Sequence, residues 1–446
     1  MLDAGGLTEA GILKLVHAKP AESEFVDYKS RDEFKKSRNQ GTAWIPQQEH
    51  AKDVCGLANG RGGLLVYGVE DIAKIPLPTA RMVPFDPSAD SHKTMETLHQ
   101  DIRDYSAPTP VFDIFAIDSN TQTGHFYLVV VVPASPNAPH AVTVPSGQGR
   151  KVLRYSVRIP GAAGIRDLYE HEVFERYQGR LRTRAERAEQ LEQVWAGGCT
   201  ELLREGSHVW VAVAVVPDMP AQNLLTAHAR KEIKDWNDAK LFPYRITYPV
   251  TAMDYPFPAP GRMVFTNCDG TNKDSRPAAK STYREIHADG TAFAAIKFAQ
   301  DSPPPVVLDP DDLVDDLCAC IIHTLTWAGE RSGGRGVATV RAALVTQRGT
   351  NMKLSDAGGT NVHGLRVLDY PGPVTTTSAD LGELVDMQAV LRVAYVAALM
   401  IVQAFGQPEP AWLTEDGEIN ARMVKRETAE RVRAWAQINK VPLCEG

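Results

Sequence analysis

The alternation of apolar and polar positions divides the chain into segments. Leu7, Ile12, Leu15 and Val16 share one side of a helix behind Thr8, an N-cap residue type, and the segment stops before Pro20. Short apolar-rich runs at 24–29 and 64–69 predict strands. Between them Pro46 opens a helix with Val54, Leu57 and Ala58 on one face, and Asn59-Gly60 ends it. Period-two alternation puts Phe25, Asp27 and Lys29 on one face of the first strand. It puts Leu64, Val66, Gly68 and Glu70 on one face of the second. Residues 92–105 read as a helix with Met95, Leu98, Ile102 and Tyr105 on one side. Strands are expected at 112–117, 125–132 and 152–159. The middle one is apolar on both faces and belongs in a sheet interior. A closing helix at 169–177 and a charged one at 180–195 follow, with Gly197-Gly198 ending the second and Gly206 marking a linker.

Beyond residue 206 the pattern restarts. Residues 209–216 alternate as a strand, and further strands are expected at 264–266, 282–287 and 292–298, with Asp289-Gly290 as a hairpin turn. Ser302 and the three prolines after it form a stiff connector. Asp309-Pro310 opens a helix with Leu313, Leu317, Ile321 and Leu325 inside, and helices at 382–405 and 416–437 close the chain. The expected organisation is therefore a first domain at 1–178, a charged helix and linker at 179–206, and an α+β module at 207–446.

Composition narrows the picture. The chain has 446 residues, enough for two or three cores. Its net charge of −7 and pI near 6.0 weigh against a generally basic nucleic-acid binder, although a local stripe can dominate contact. Such a stripe exists: Lys29, Arg31, Lys35, Lys36 and Arg38 stand against only Asp32 and Glu33. Cysteines 55, 199, 268, 318, 320 and 444 show no paired spacing, which suggests reduced thiols and a cytoplasmic setting. No signal peptide is expected, since the first residues lack a basic and then an apolar region. The apolar run 393–402 is shorter than the roughly 20 residues that span a bilayer and reads as a core helix, so no membrane partner is expected.

Candidate chemistry gathers early in the chain. If the strands at 24–29 and 64–69 are neighbours, Glu22, Asp27 and Glu70 can meet beside Lys29, with Asp71 as a further acid. Carboxylates suit hard divalent cations, which can activate water near a phosphate, and Lys29 would add a fixed positive charge. The plainer alternative is a set of solvated acids paired with neighbouring basic residues. Lys35, Lys36 and Arg38 can contact phosphates, whereas the arginines at 180–187 read as a solvated helix face. Gly60-Arg61-Gly62-Gly63 leads into a strand, so it suits a tight turn better than a phosphate cradle. Cys318, Cys320 and His323 do not converge on a helix, and the core is the better place for them.

Four blocks carry a resemblance. The first holds Glu22 and Asp27-Tyr28-Lys29; the second holds Leu57-Ala58-Asn59, Gly62-Gly63 and Gly68-Val69-Glu70. The third runs from Ser135 to Pro139-His140, and the fourth is RYSVRIPG with Arg158 and Gly161. Together they resemble the AlbA-like domain of the Schlafen family, over residues 1–178. Asp27 stands where that family has glutamate and Glu70 where it has aspartate. The arginine-to-glycine spacing is one longer, and Ala162 and Ala163 replace hydroxyl residues. The resemblance implies an α/β (α+β) fold with a mixed sheet. In the family's nucleases the positions of Glu22, Asp27 and Glu70 are metal-binding catalytic acids. It thus implies an endoribonuclease dependent on Mg2+ or Mn2+ and acting on structured RNA such as tRNA, in bacterial stress or phage defence. Glu22, Asp27 and Glu70 would hold metal and Lys29 would steady the phosphate. Lys35, Lys36, Arg38 and Arg158 would hold nucleic acid, and a homodimer would rebuild the family's two-lobed groove. The alternatives are a non-catalytic DNA- or RNA-binding regulator and an assembly protein.

Overall fold

The runs at 24–29 and 64–69 do become neighbouring strands. In a computed structural model, strand β1 (Val26–Lys29) pairs in parallel with β2 (Gly62–Tyr67), with Asp27 opposite Leu65 and Lys29 opposite Tyr67. The structure describes residues 8–19, 23–32, 45–70, 75, 77–86, 88–89, 91–146, 150–159, 164–205, 208–222, 225–226, 229, 231–233, 236, 254–267, 282–297, 305–355, 366–384, 386–424 and 429–444. Glu22, Lys35, Lys36, Arg38 and Asp71 lie outside the described residues. The chain divides into two units, Met1–Arg184 and Ala185–Gly446.

In the first unit, helix α1 (Glu9–Ala18) starts as expected, with the Thr8 hydroxyl accepting from the Gly11 amide at 3.1 Å. Helix α2 (Pro46–Ala58) connects β1 to β2, and α3 (Ser91–Tyr105) leads into the short β3 (Ser106–Ala107). Then come β4 (Asp113–Asp118), β5 (Phe126–Pro133), β6 (Ala141–Ser146), β7 (Arg150–Arg158) and β8 (Ile165–Asp167). One mixed sheet has the order β1-β2-β5-β4, with only the β1–β2 pair parallel. Strand β5, apolar on both faces, sits inside it as the pattern requires. A second sheet has the order β3-β6-β7-β8. Helix α2 lies between the sheets. Val54, Leu57 and Ala58 pack on Leu65, Tyr67 and Leu128 of the first, while Ala51 and Cys55 pack on Val142 of the second. The opposite face of the first sheet buries Ile12 and Val16 of α1 against Val26, Tyr28 and Val66.

The two helices expected at 169–177 and 180–195 are one helix, α4 (Glu170–Leu202), and Gly206, where a linker is expected, lies outside the described residues. The glycine pair does not stop it. A Cβ at Gly198 would lie 2.5 Å from the Phe293 ring, whereas one at Gly197 would meet nothing within 4 Å. Gly198 is there for close approach, with the helix running through it.

In the second unit, β9 (Trp210–Met219), β10 (Asp254–Ala259), β11 (Arg262–Asn267), β12 (Thr282–His287) and β13 (Ala292–Lys297) join β15 (Arg335–Val345) and β17 (Val374–Asp380). They form an antiparallel sheet of order β10-β11-β12-β13-β9-β15-β17. Short β14 (Val306–Leu308) and β16 (Met352–Leu354) pair separately. On β9 the odd-numbered valines face helices α5 (Pro310–Thr326) and α6 (Met387–Ala404). The even-numbered positions face Leu191, Val194, Trp195 and Leu202 of α4. Asp309 caps α5, accepting from the amides of Asp311 and Asp312. Cys318, Cys320 and His323 are buried in it, as a core helix requires. By length and composition α6 could cross a membrane; half of it is buried, with Leu391, Ala394, Ala398 and Ile401 in the core. The helix expected at 416–437 starts later. Strand β18 (Ile419–Asn420) pairs with β19 (Leu443–Cys444), and the helix is α7 (Ala429–Ile438).

Candidate functional site

Alternation along β1 sends Asp27 and Lys29 to the side facing α2. There the Lys29 ammonium lies 2.7 Å from Asp53 Oδ2 and 3.1 Å from Asp27 Oδ2. Asp53 comes from α2, just before Val54 of its buried face. The guanidinium of Arg158, at the end of β7, closes on the same Asp27 oxygen. Asp27 is 1% exposed and Arg158 4%. Among the described residues, two acids and two cations thus form a largely buried network joining both sheets and α2. Burial disfavours the ammonium of Lys29, but the carboxylates of Asp53 and Asp27 outweigh it and hold the group charged far above the usual lysine range. Beside it, His50 Nδ1 meets the Tyr67 hydroxyl at 3.0 Å.

Glu70 follows the carboxyl end of β2. It accepts a 2.6 Å hydrogen bond from the Ser30 hydroxyl, and its backbone carbonyl accepts from Arg81 Nε at 2.6 Å. Arg81, fully buried, lies over the Tyr28 ring, on the face of β1 opposite to Asp27. Of the expected site residues, then, the structure gathers Asp27, Lys29 and Arg158, and holds Glu70 through other partners. Arg158, expected to face phosphate, is an internal ion-pair partner. Among the described residues no group of three or more His, Cys, Asp or Glu side chains is placed to hold a metal ion. Lys29 and Arg158 both approach the same oxygen of the Asp27 carboxylate, Oδ2.

A second knot lies at the end of α2. The Asn59 amide donates to the His140 and Ser156 carbonyls, both at 2.8 Å, and its oxygen accepts from the His140 amide at 2.7 Å. His140 Nδ1 is 2.7 Å from the Pro108 carbonyl, which can only accept, so that nitrogen carries the proton. Nε2 then accepts from the Ser135 hydroxyl at 2.7 Å. From α4, Arg176 donates to the Asn59 carbonyl and Arg180 to that of Pro139. The turn into β2 needs Gly62, whose φ is +75° and whose Cβ would lie 2.6 Å from the Val132 carbonyl oxygen. All four sequence blocks therefore contribute to one interlocked set of contacts.

Residues 22–161 match the family model described as Schlafen, AlbA_2. The N-terminal unit carries a Schlafen AlbA_2 domain. A domain of this family points to nucleic acid as its partner. No curated protein matches the chain. Among solved structures it is similar to the DIP2311 protein from Corynebacterium diphtheriae, at 21% identity over 35% of this chain and 27% of that one. The TM-score is 0.22, too loose a superposition to carry a conclusion. Within the AlbA_2 domain, sequence reading missed Asp53. The available signal was faint, because Asp53 shares its side of the helix with Leu57 but also with Glu49 and His50.

Proposed function

We propose that the N-terminal unit binds structured RNA and does not cut it. The observation supporting this reading is the state of Asp27. Its buried carboxylate already has Arg158 and Lys29 on one oxygen, so the fold itself supplies the positive charge that a metal would otherwise bring. RNA would be held by the basic stripe of Lys35, Lys36 and Arg38 through its phosphates. The proposed setting is cytoplasmic, in keeping with free thiols at cysteines 55, 199, 318, 320 and 444.

A metal-dependent endoribonuclease acting on tRNA is the second reading. In its favour, Lys29, Ser30 and Glu70 gather at the carboxyl ends of the parallel β1–β2 pair, the edge where α/β sheets place ligands. Glu22 would complete the acid set around Mg2+ or Mn2+. One experiment separates the two. Full-length protein is titrated into labelled tRNA and the RNA is then run on a denaturing gel with Mg2+, Mn2+ or chelator. The binding reading expects a complex that weakens with salt, and more so in Lys35→Glu with Lys36→Glu, with intact RNA throughout. Products that need metal and vanish in a folded Asp27→Ala protein would overturn it in favour of the nuclease.

A further inference from the structure

The outer face of the second sheet and the helix beside it carry rings and cations in water. Val142 of β6 packs on α2, and Leu153 and Tyr155 of β7 stand opposite Thr143 and Ala141 in the register. Alternation therefore turns Lys151, Leu153 and Tyr155 away from α2. The first half of α4 runs alongside. There the Tyr177 hydroxyl meets the Tyr155 hydroxyl at 3.0 Å, and the two rings meet edge to face. Phe174 is 57% exposed, Tyr177 39%, Leu181 65% and Leu153 49%. At about 100° per residue, Glu170, Phe174, Tyr177, Leu181 and Arg184 share a strip of α4 about 80° wide.

Charge decides what such a face takes. Arg180 borders the strip, donates to the Pro139 carbonyl, and holds its guanidinium 5.1 Å from the centre of the Tyr177 ring. Arg184 closes the strip at its carboxyl end, and Lys151 shares the β7 face of Leu153; both are exposed. Glu170 lies on the strip at its amino end. Glu172 and Glu175 fall about 100° or more outside it, and Glu172 is held by Arg166. A protein docking here through an apolar surface would strip water from Arg180 and Arg184 with no counter-charge in return. Unpaired bases suit the face better, because they stack on aromatic rings and guanidinium planes while their phosphates meet the cations. A duplex hides the faces of its bases and leaves the rings unused. Taking the unit as the RNA binder of the preceding section, we propose that this α4–β7 face takes unpaired bases of that RNA. Phe174 and Tyr177 stack them, and Arg184 and Lys151 meet the flanking phosphates. Lys35, Lys36 and Arg38 hold the backbone of the paired part, so one RNA is recognised by a helix and by an open loop or tail together.

The test is fluorescence anisotropy on the full-length protein with three labelled probes: oligouridine, tRNA and a blunt RNA duplex. Phe174→Leu keeps the apolar area and removes a ring. Combined with Tyr177→Ala, it should weaken oligouridine at least fivefold and leave the duplex unchanged. Phe174→Trp should bind oligouridine at least as tightly as wild type, a result that no loss of folding can mimic. Ring removal should leave the slope of log Kd against log salt unaltered. Arg184→Ala with Lys151→Ala should lower that slope by about 1.4, the share of two single-strand phosphates. Lys35→Glu with Lys36→Glu should weaken tRNA and duplex alike. Wild type and ring variants that bind oligouridine and tRNA equally overturn the proposal and leave the RNA reading standing. A wild-type protein that binds none of the probes removes both. Ring variants that keep their RNA affinity and lose self-association in sedimentation also overturn the proposal and give the face to protein.

Discussion

Replacing Asp27 by asparagine separates a structural acid from a metal ligand by the sign of its effect on stability. In the structure Arg158 and Lys29 meet on one oxygen of the carboxylate; Asp27 and Arg158 are buried, and Lys29 is partly exposed. Asparagine keeps the shape and removes the charge. Lys29 still has Asp53 at 2.7 Å, but Arg158 is left buried against a neutral amide. Breaking a buried pair by removing one partner costs about 3–5 kcal/mol. Because Lys29 retains Asp53, the lower end, about 3 kcal/mol, is the expected loss. For a unit the size of Met1–Arg184 each kcal/mol moves the midpoint by roughly 2–4 °C, so the shift is about 6–12 °C downward. Arg158→Met should cost a similar amount. The double substitution should cost less than the two added, by about 1–3 kcal/mol. Calorimetry on the full chain in chelator, following the transition of the N-terminal unit, measures all three. If Asp27 instead belonged to a cluster of acids awaiting a metal, asparagine would relieve like-charge repulsion. An unchanged or raised midpoint in chelator would therefore refute the reasoning.

His140 gives a pH signature. Burial lowers it most, the Pro108 carbonyl opposes this and nearby Arg180 adds to it, leaving the imidazole near 4 against an ordinary 6.5. Its contribution, about 3 kcal/mol, is fully present above pH 6.5 and is lost as pH falls through 4; His140→Gln should flatten that part of a urea-stability profile. Asp101 runs the other way, since burial and then Asp104 raise its carboxyl to about 6. It costs stability above that pH, so Asp101→Asn should raise the melting point at pH 8 and leave it unchanged near pH 3. Gly198→Ala should destabilise the second unit by about 1–3 kcal/mol through its clash with Phe293, while Gly197→Ala should stabilise it by about 0.5–1 kcal/mol. Equal effects at the two glycines by thermal denaturation would contradict the close approach.

Elements with strong local chemistry were legible in the sequence. Asp309-Pro310 announced α5, Asp289-Gly290 announced the β12–β13 hairpin, and the unbroken apolar run at 125–132 announced an interior strand. What escaped had its cause elsewhere in the chain. The helix passes Gly197-Gly198 because of Phe293, almost a hundred residues on, which no local rule contains. Strands β15 and β17 went unread because Ala338, Ala342 and Ala343 carry little strand signal, and the threonines at 375–377, although β-branched, show no apolar-polar alternation. The site divided along the same line. Pattern placed β1 and β2 on either side of one helix, which allowed them to be neighbours, whereas the pairing of Asp27 with Arg158 depends on β7 being brought across α2.

That pairing also bears on what a match to such a domain implies. Asn59 ties the end of α2 to His140 and Ser156, Gly62 admits the turn into β2, and Arg158 neutralises Asp27. Each is a motif residue, and each has a job in holding two sheets around one helix. A chain could therefore keep all four blocks under selection for folding alone. The departure at Asp27 fits that logic. Aspartate is one methylene shorter than glutamate, which keeps the carboxylate close to the strand, within reach of Lys29 two residues on and of Arg158. A longer side chain would carry it further from β1. The residue types that make the motif recognisable report on the fold. Catalysis would have to be read from acids not already engaged by the fold's own cations, and in this chain that directs attention to Glu70 and its edge of the sheet before Asp27.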